Sequence, residues 1–461
     1  MRKKSIFIFS FLLFFTALRT DAQYSVLLNF DSLNGQYPNG NLLLSSGKFY
    51  GMTYHGGTQK GGLVFSVDTD GTNYKDLLNF NGLNGADPKG SLIIVGKRLY
   101  GMTLGGGLHD SGVIFAIDTD GTRFKKLFDF GGTKGGLPDG SLVCAGKRLF
   151  GMTYYGGTGY GVAFSIDTDG TRYKDMIDFY HTTGQNPYGS FILSGSMLFG
   201  MTVDGGTGSG NIFRIDTAGN NYKDIFNFNL NNGGSPFGSL LLSGSKFFGM
   251  TWGGGIHRYG NIFSLDTDGN NIKDLLDFDG TNGASPWGSD VSLIGGTLYG
   301  MTELGGAYVS YGVLFSIDTS GNNYVILHDF NVPDGANPFG SLTISGHNLY
   351  GMTDYGGTNT DGVIFRYSII PTSVPNSVQI TNKVSVYPNP TDGQITFQLS
   401  ISDSPWSLEI IDITGRSLLK ERFTESFATI NCSAFLNGIY FYRVFKDTGE
   451  LCGNGKLIIE K

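Results

Sequence analysis

Four Asp-Thr-Asp-Gly segments, starting at Asp68, Asp118, Asp167 and Asp266, are the first residues whose types and spacing could do chemistry. Two carboxylates one residue apart ahead of a glycine open many calcium loops. The other copies of the segment argue against a metal. Asp216 is followed by Thr217-Ala218-Gly219 and Asp318 by Thr319-Ser320-Gly321, so the second carboxylate is lost, and no bidentate Glu follows at the required distance. A hairpin turn uses the same residue types: Asp accepts hydrogen bonds from its own backbone, and Gly takes φ > 0. His55, His109, His257 and His181 are scattered over separate loops, and no two share metal-ligand spacing. No Gly-x-Ser-x-Gly elbow or recurrent acid pair occurs. No catalytic residue, metal or cofactor is therefore expected.

A second set of residues suits binding. Seven Pro-x-Gly tripeptides carry a central residue that varies from copy to copy: Asn39, Lys89, Asp139, Tyr188, Phe237, Trp287 and Phe339. The last four are aromatic and consecutive. Tyr154, Tyr155, Trp252 and Tyr355 lie in loops of the same region of each copy. Flat rings among polar loops suit sugar faces. The competing expectation is that these rings only fill a channel or pack on neighbouring loops.

What positions these residues is a repeat. Gly-Met-Thr starts at Gly51, Gly101, Gly151, Gly200, Gly249, Gly300 and Gly351, at intervals of 49 to 51 residues. One copy reads as four strands: Ser91–Val95 (A), Arg98–Thr103 (B), Val113–Asp118 (C) and Phe124–Phe130 (D), with a Gly-Gly loop between B and C. Phe recurs in strand C (Phe65 to Phe365) and strand D (Phe30 to Phe330), which predicts rings packed between neighbouring copies. Tyr24–Phe30 reads as a spare strand D, and the last copy lacks one. Pairing the two ends closes the array and removes a sheet edge. The expected fold is thus all-β: a seven-bladed β-propeller of blades about 50 residues long, its ring closed by the N-terminal strand. In that fold the D–A and B–C loops share one face, which gathers the aromatic residues into an arc. Carboxylates converging on that face would favour an enzyme; an aromatic platform without them would favour binding.

Composition agrees with a folded all-β chain. Gly is 73 of 461 residues, aromatics are 14% and charged residues 15%. The net charge of −7 and the lack of basic clusters exclude nucleic acid as an expected partner. Arg2, Lys3 and Lys4 precede an apolar run from Ile6 to Leu18, with small residues before Gln23. Residues 1–22 read as an export signal, and no later stretch reads as a membrane span.

The Gly-Met-Thr, Gly-Gly and Val/Ile-Phe-Ser-Ile-Asp-Thr-Asp-Gly pattern over 24–369 resembles the GloVer-type tandem repeat family of bacterial secreted proteins. The resemblance implies a propeller-like domain and no particular activity. After a Pro/Ser/Thr/Asn-rich linker at 370–383, the segment 384–461 changes character. It contains Tyr387-Pro388-Asn389-Pro390, Ile411-Asp412-Ile413-Thr414-Gly415-Arg416, Leu436-Asn437-Gly438-Ile439-Tyr440 and a terminal strand ending at Lys461. About seven short strands there predict a small Ig-like β-sandwich. These motifs, in this order, resemble the type A sorting domain of the type IX secretion system of the Bacteroidota. The resemblance implies a translocon partner and delivery to the cell surface or medium after periplasmic transit. Cys432 and Cys452 are expected to be separate small residues rather than a bridge. Together these observations point to a secreted, non-enzymatic binding protein with carbohydrate as the candidate ligand. A carbohydrate-active enzyme or a purely structural surface protein are the alternatives.

Overall fold

The computed structural model describes residues 23–369, 384–399, 405–412, 416–447 and 451–461. The expected export signal and linker lie outside the described residues. The chain divides into two compact units, one within 21–370 and one within 371–461.

The first unit is built of four-stranded antiparallel sheets, the pattern of a propeller-like β-fold. The first sheet runs Leu43–Ser45, Lys48–Thr53, Leu63–Asp68 and Lys75–Asn79 in spatial order. Five further copies keep that order, each formed by four strands consecutive in sequence. One more sheet is composite. Tyr24–Asn29 pairs with Val363–Ser368, which continues through Asn348–Tyr355 to Ala336–Ser345. Tyr24 lies opposite Tyr367 and Asn29 opposite Val363.

Two strands are shorter than the sequence suggests. Strand A of the second copy spans Ile93–Val95, because the N–H of Ser91 leaves the ladder and donates to Ser141 Oγ in the next copy. Strand D spans Lys125–Asp129; the N–H of Phe130, just beyond it, donates to the Gly112 carbonyl.

The tripeptide Gly-Met-Thr has a packing cause at each residue. The tip of the strand C phenylalanine ring abuts the glycine of strand B. A Cβ on Gly51 would sit 2.4 Å from Phe65 Cζ, and one on Gly151 2.7 Å from Phe164 Cζ. The glycines are needed for this close approach. Met52, Met102 and their equivalents are buried. Thr53 and Thr103 are buried too, and each hydroxyl donates to the carbonyl two residues on, at 2.9 and 2.8 Å.

The recurrent phenylalanines join neighbouring sheets. Phe80 meets Phe115 edge to face at 5.2 Å, and Phe130 meets Phe164 at 5.3 Å. The series ends with Phe330 on Phe365, and Phe30 on Phe65 links the composite sheet back to the first. Each fully buried ring stabilises the fold by roughly 1.5–3 kcal/mol. The Asp-Thr-Asp-Gly segments are turns: Gly71 N–H donates to the Asp68 carbonyl, and the Asp68 carboxylate is taken up by Lys48 and Asn73.

The second unit has a three-stranded sheet (Val384–Tyr387, Gln394–Leu399, Phe427–Asn431) and a four-stranded sheet (Ser417–Phe423, Trp406–Ile411, Gly438–Lys446, Leu451–Ile459). Both contribute to one core around Phe397, Trp406 and Leu408. The motif residues tie down the terminal strand. Asn389 donates from Nδ2 to the Lys456 carbonyl at 2.7 Å and accepts the Ile458 N–H at 2.8 Å. Asn437 accepts the Lys461 N–H, and Lys461 Nζ donates to the Ser433 and Phe435 carbonyls. Cys432 and Cys452 are buried, and their thiols are directed at separate carbonyls, those of Ile430 and Val444.

Candidate functional site

The Pro-x-Gly segments meet in a ring. The residue after each tripeptide, or the second residue after it in the Trp287 copy, donates its backbone N–H to the side chain of its counterpart in the next copy: Asn41 to Ser91, Ser91 to Ser141, Ser141 to Ser190 and Ser190 to Ser239, at 2.7–2.9 Å. Ser239 donates to Asp290, Asp290 to Ser341 at 2.9 Å, and Ser341 back to Asn41 at 2.5 Å. Glycine is required beside this ring, since a Cβ on Gly90 would lie 2.3 Å from the Gly140 carbonyl oxygen. A narrow cavity of about 40 Å³ runs through it. The residue before each proline, from Tyr37 to Asn337, has φ near +50°, so non-glycine backbone strain recurs around the opening.

Above the ring, the variable residues split into two halves. One half is aromatic. Tyr155 touches Tyr154, Tyr154 touches Tyr188, and Tyr188 meets Phe237 edge-on at 5.0 Å. Phe237 stacks on Trp287 at 4.7 Å, and Trp252 closes the cluster against both. Trp287 Nε1 donates to Tyr188 Oη at 3.1 Å. Tyr188 is only 7% exposed, whereas Trp252 is 38% and Tyr155 49% exposed. The cluster is thus self-packed at its base and open at its rim.

The other half is polar. Lys89 pairs with Asp139 at 3.3 Å, and its ammonium lies 5.7 Å from the ring centres of Tyr54 and Tyr188. Asn39 donates to Asp354 at 2.6 Å. A cavity of about 200 Å³ lies between the halves, bordered by Tyr188, Trp287, Phe339, Glu303, Asp354 and Lys89. Burial raises the Asp354 carboxyl to about 6, against the hydrogen bond from Asn39. Burial, then the nearby Asp354, raises Glu303 to about 7. Burial also lifts Asp139 to about 6, opposed by Lys89. The opening thus combines an aromatic wall with carboxyls that resist ionisation.

Of the eight aromatic residues singled out from sequence, six form the continuous cluster: Tyr154, Tyr155, Tyr188, Phe237, Trp252 and Trp287. Phe339 borders the same cavity without an edge or stacking contact to that cluster. Tyr355 is 38% exposed, and its strand residue lies opposite Ala336. Asp354 precedes it and borders the cavity; alternation along an extended chain turns successive side chains to opposite sides. The carboxylates Glu303 and Asp354 were not expected. They occupy the position after Gly-Met-Thr, the same position that holds Tyr154 and Trp252. Reading that column across the copies gives Tyr54, Leu104, Tyr154, Val203, Trp252, Glu303 and Asp354, a variable set whose last two members border the cavity.

An all-β array of small repeated sheets with its variable residues gathered at one opening defines the class of protein. The chain belongs to the Gloeobacter/Verrucomicrobia repeat family, which matches residues 13–207, 148–286 and 210–395. Residues 385–460 match the secretion-system C-terminal sorting domain, which directs the protein through type IX secretion to the cell surface or extracellular space. No helix among the described residues is long and apolar enough to cross a membrane. No curated protein matches the chain. Similar solved structures include the extracellular domain of a one-component system from B. thetaiotaomicron, at 12% identity and TM-score 0.47, over 93% of this chain and 56% of that one. Another is a fungal alcohol oxidase of the AA5 family in complex with copper, at 9% identity and TM-score 0.45, over 94% of this chain and 98% of that one. This chain therefore spans little more than half the length of the first.

Proposed function

We propose that this secreted protein is a closed seven-bladed β-propeller over 24–369, followed by an Ig-like sorting sandwich over 384–461, and that the propeller's opening binds carbohydrate without turning it over. An export signal at 1–22 and a linker at 370–383 complete the reading. The closed circuit of hydrogen bonds from Asn41 through Asp290 to Ser341 and back supports the ring. The observation that carries the binding reading is the aromatic wall of Tyr188, Trp287 and Phe339 beside a cavity of about 200 Å³. That is about seven water volumes of about 30 Å³ each, the scale of one sugar unit rather than a long segment. Rings present apolar faces and the flanking Asn39, Lys89 and Asp354 supply polar partners.

Glu303 and Asp354, carboxyls that converge on the aromatic face, meet the condition stated above for an enzyme and support a second reading. A carboxyl raised to about 7 beside another acid suits general acid catalysis, so a carbohydrate-active enzyme is the alternative. A glycan array probed with the full secreted chain, run beside digestion assays on every glycan bound, tests both. Binding without products supports the binding reading. Products that disappear in Glu303→Gln establish the enzyme instead. Absence of any glycan binding removes both.

A further inference from the structure

The charge of the opening says more about the ligand than its aromatic wall does. Lys89 is the cation bordering the cavity, and its charge is matched by Asp139 at 3.3 Å. His55 is engaged with Asp87 at 3.1 Å. Glu303 and Asp354 are then acids that burial keeps partly protonated, with Lys89 and His55 acting on Asp354 only from beyond ion-pair distance. Among the described residues neither takes part in an ion pair, and no protein donor reaches the Glu303 carboxylate, whose residue engages Asn337 only through its backbone carbonyl. Asp354 has one donor, Asn39. Both acids face Tyr188, Trp287 and Phe339 across the same cavity. A desolvated carboxylate needs a counter-charge or donors, and a cation is also held by the faces of Trp and Tyr.

We propose that the opening selects a ligand bearing a protonated or quaternary amine, the ammonium seated between the Trp287 and Tyr188 rings and the carboxylates of Glu303 and Asp354. The inference rests on the binding reading above and narrows its ligand from carbohydrate in general to an amine-bearing one. Free alkylammonium compounds share this chemistry with amino-sugar polymers, so the test separates the two sources. A neutral sugar leaves both acids unpaired and is disfavoured.

The experiment is calorimetric titration of the full secreted chain with three probes: a glucosamine tetramer, its fully N-acetylated counterpart and choline. The first two share ring faces and differ in charge. The expected result is that the glucosamine tetramer binds at least about tenfold more tightly than the acetylated one, the scale of one hydrogen bond to a charged group. Glu303→Gln and Asp354→Asn should each remove most of that preference with circular dichroism unchanged. Should one of them fail to fold, the other and the conservative Glu303→Asp, which keeps the preference, decide the matter. Equal binding of the two tetramers overturns the amine inference and leaves the carbohydrate reading standing. Binding of choline alone upholds the amine inference and overturns the carbohydrate reading. Binding of none of the three overturns both.

Discussion

The backbone N–H of Ser341 donates to Oδ1 of Asn41 at 2.5 Å, a contact that joins residues 300 positions apart. It completes the circuit around the opening, and the Tyr24–Asn29 strand completes the same closure at the outer edge by pairing with Val363–Ser368. Deleting residues 24–30 from the secreted protein removes that strand and Phe30, whose ring packs on Phe65. Loss of one such core ring costs about 3–5 kcal/mol, so the melting temperature should fall by on the order of 10 °C, with association through the bared edge. Calorimetry and size-exclusion chromatography check this. An unchanged melting temperature in a monomer contradicts the closure.

The glycine of Gly-Met-Thr is a packing requirement. Gly151→Ala places a methyl 2.7 Å from Phe164 Cζ and 3.1 Å from Leu142 Cδ2. Overpacking of this kind costs about 1–3 kcal/mol. Gly253→Ala meets nothing within 4 Å and serves as the neutral control. Urea unfolding of the two variants should separate them by that amount; equal midpoints would remove the packing explanation.

Asp290 stands where most copies have serine, displaced there by one inserted residue, Ser289. Burial raises its carboxyl to about 6, against hydrogen bonds from Ser239 and Ser341. A folded pKa above the unfolded one means the folded state holds its proton more tightly. Stability is then full below the unfolded value near 4 and declines as pH rises to about 6. The cost above that is at most about 3 kcal/mol. Asp290→Ser should raise the melting temperature at pH 7.5 and leave it nearly unchanged at pH 4. Destabilisation at both values would mean that the carboxylate is needed for the ring.

The strands, their order and the pairing of the chain ends were legible because one pattern is written seven times. Phe80 and Phe115 recur at every sheet junction, and repetition separates core from chance. The opening was less legible. Tyr188, Phe237 and Trp287 stand out because large rings are rare at a turn. Glu303 and Asp354 do not, since a lone acid in a loop usually meets water. Only the fold reveals that these two border the cavity lined by Tyr188, Trp287 and Phe339. Asp290 was hidden by the insertion that shifts its register by one.

Asn389 and Asn437 hold the terminal strand of the sorting unit through four backbone hydrogen bonds. Asn389→Ala leaves the Ile458 N–H and the Lys456 carbonyl without these partners, a loss of about 1–3 kcal/mol in that unit. Export to the surface should fall severalfold while the repeat unit folds normally. A chain ending at residue 369 should fold and stay in the periplasm. Fractionation with immunoblotting checks both; truncated protein at the surface in normal amounts would contradict the sorting assignment.

A ligand bound at the opening as proposed lies against the aromatic wall. Of the three tryptophans, Trp406 is buried in the sorting unit, while Trp252 and Trp287 both belong to the wall. Tryptophan fluorescence of the full secreted chain, titrated with a glycan that it binds, measures the wall directly. A ligand seated there should produce a saturable change in emission that disappears in Trp252→Phe/Trp287→Phe, with Trp406 left as a constant background. A change of the same size in the double variant, or binding with no change in the wild type, would place the ligand elsewhere.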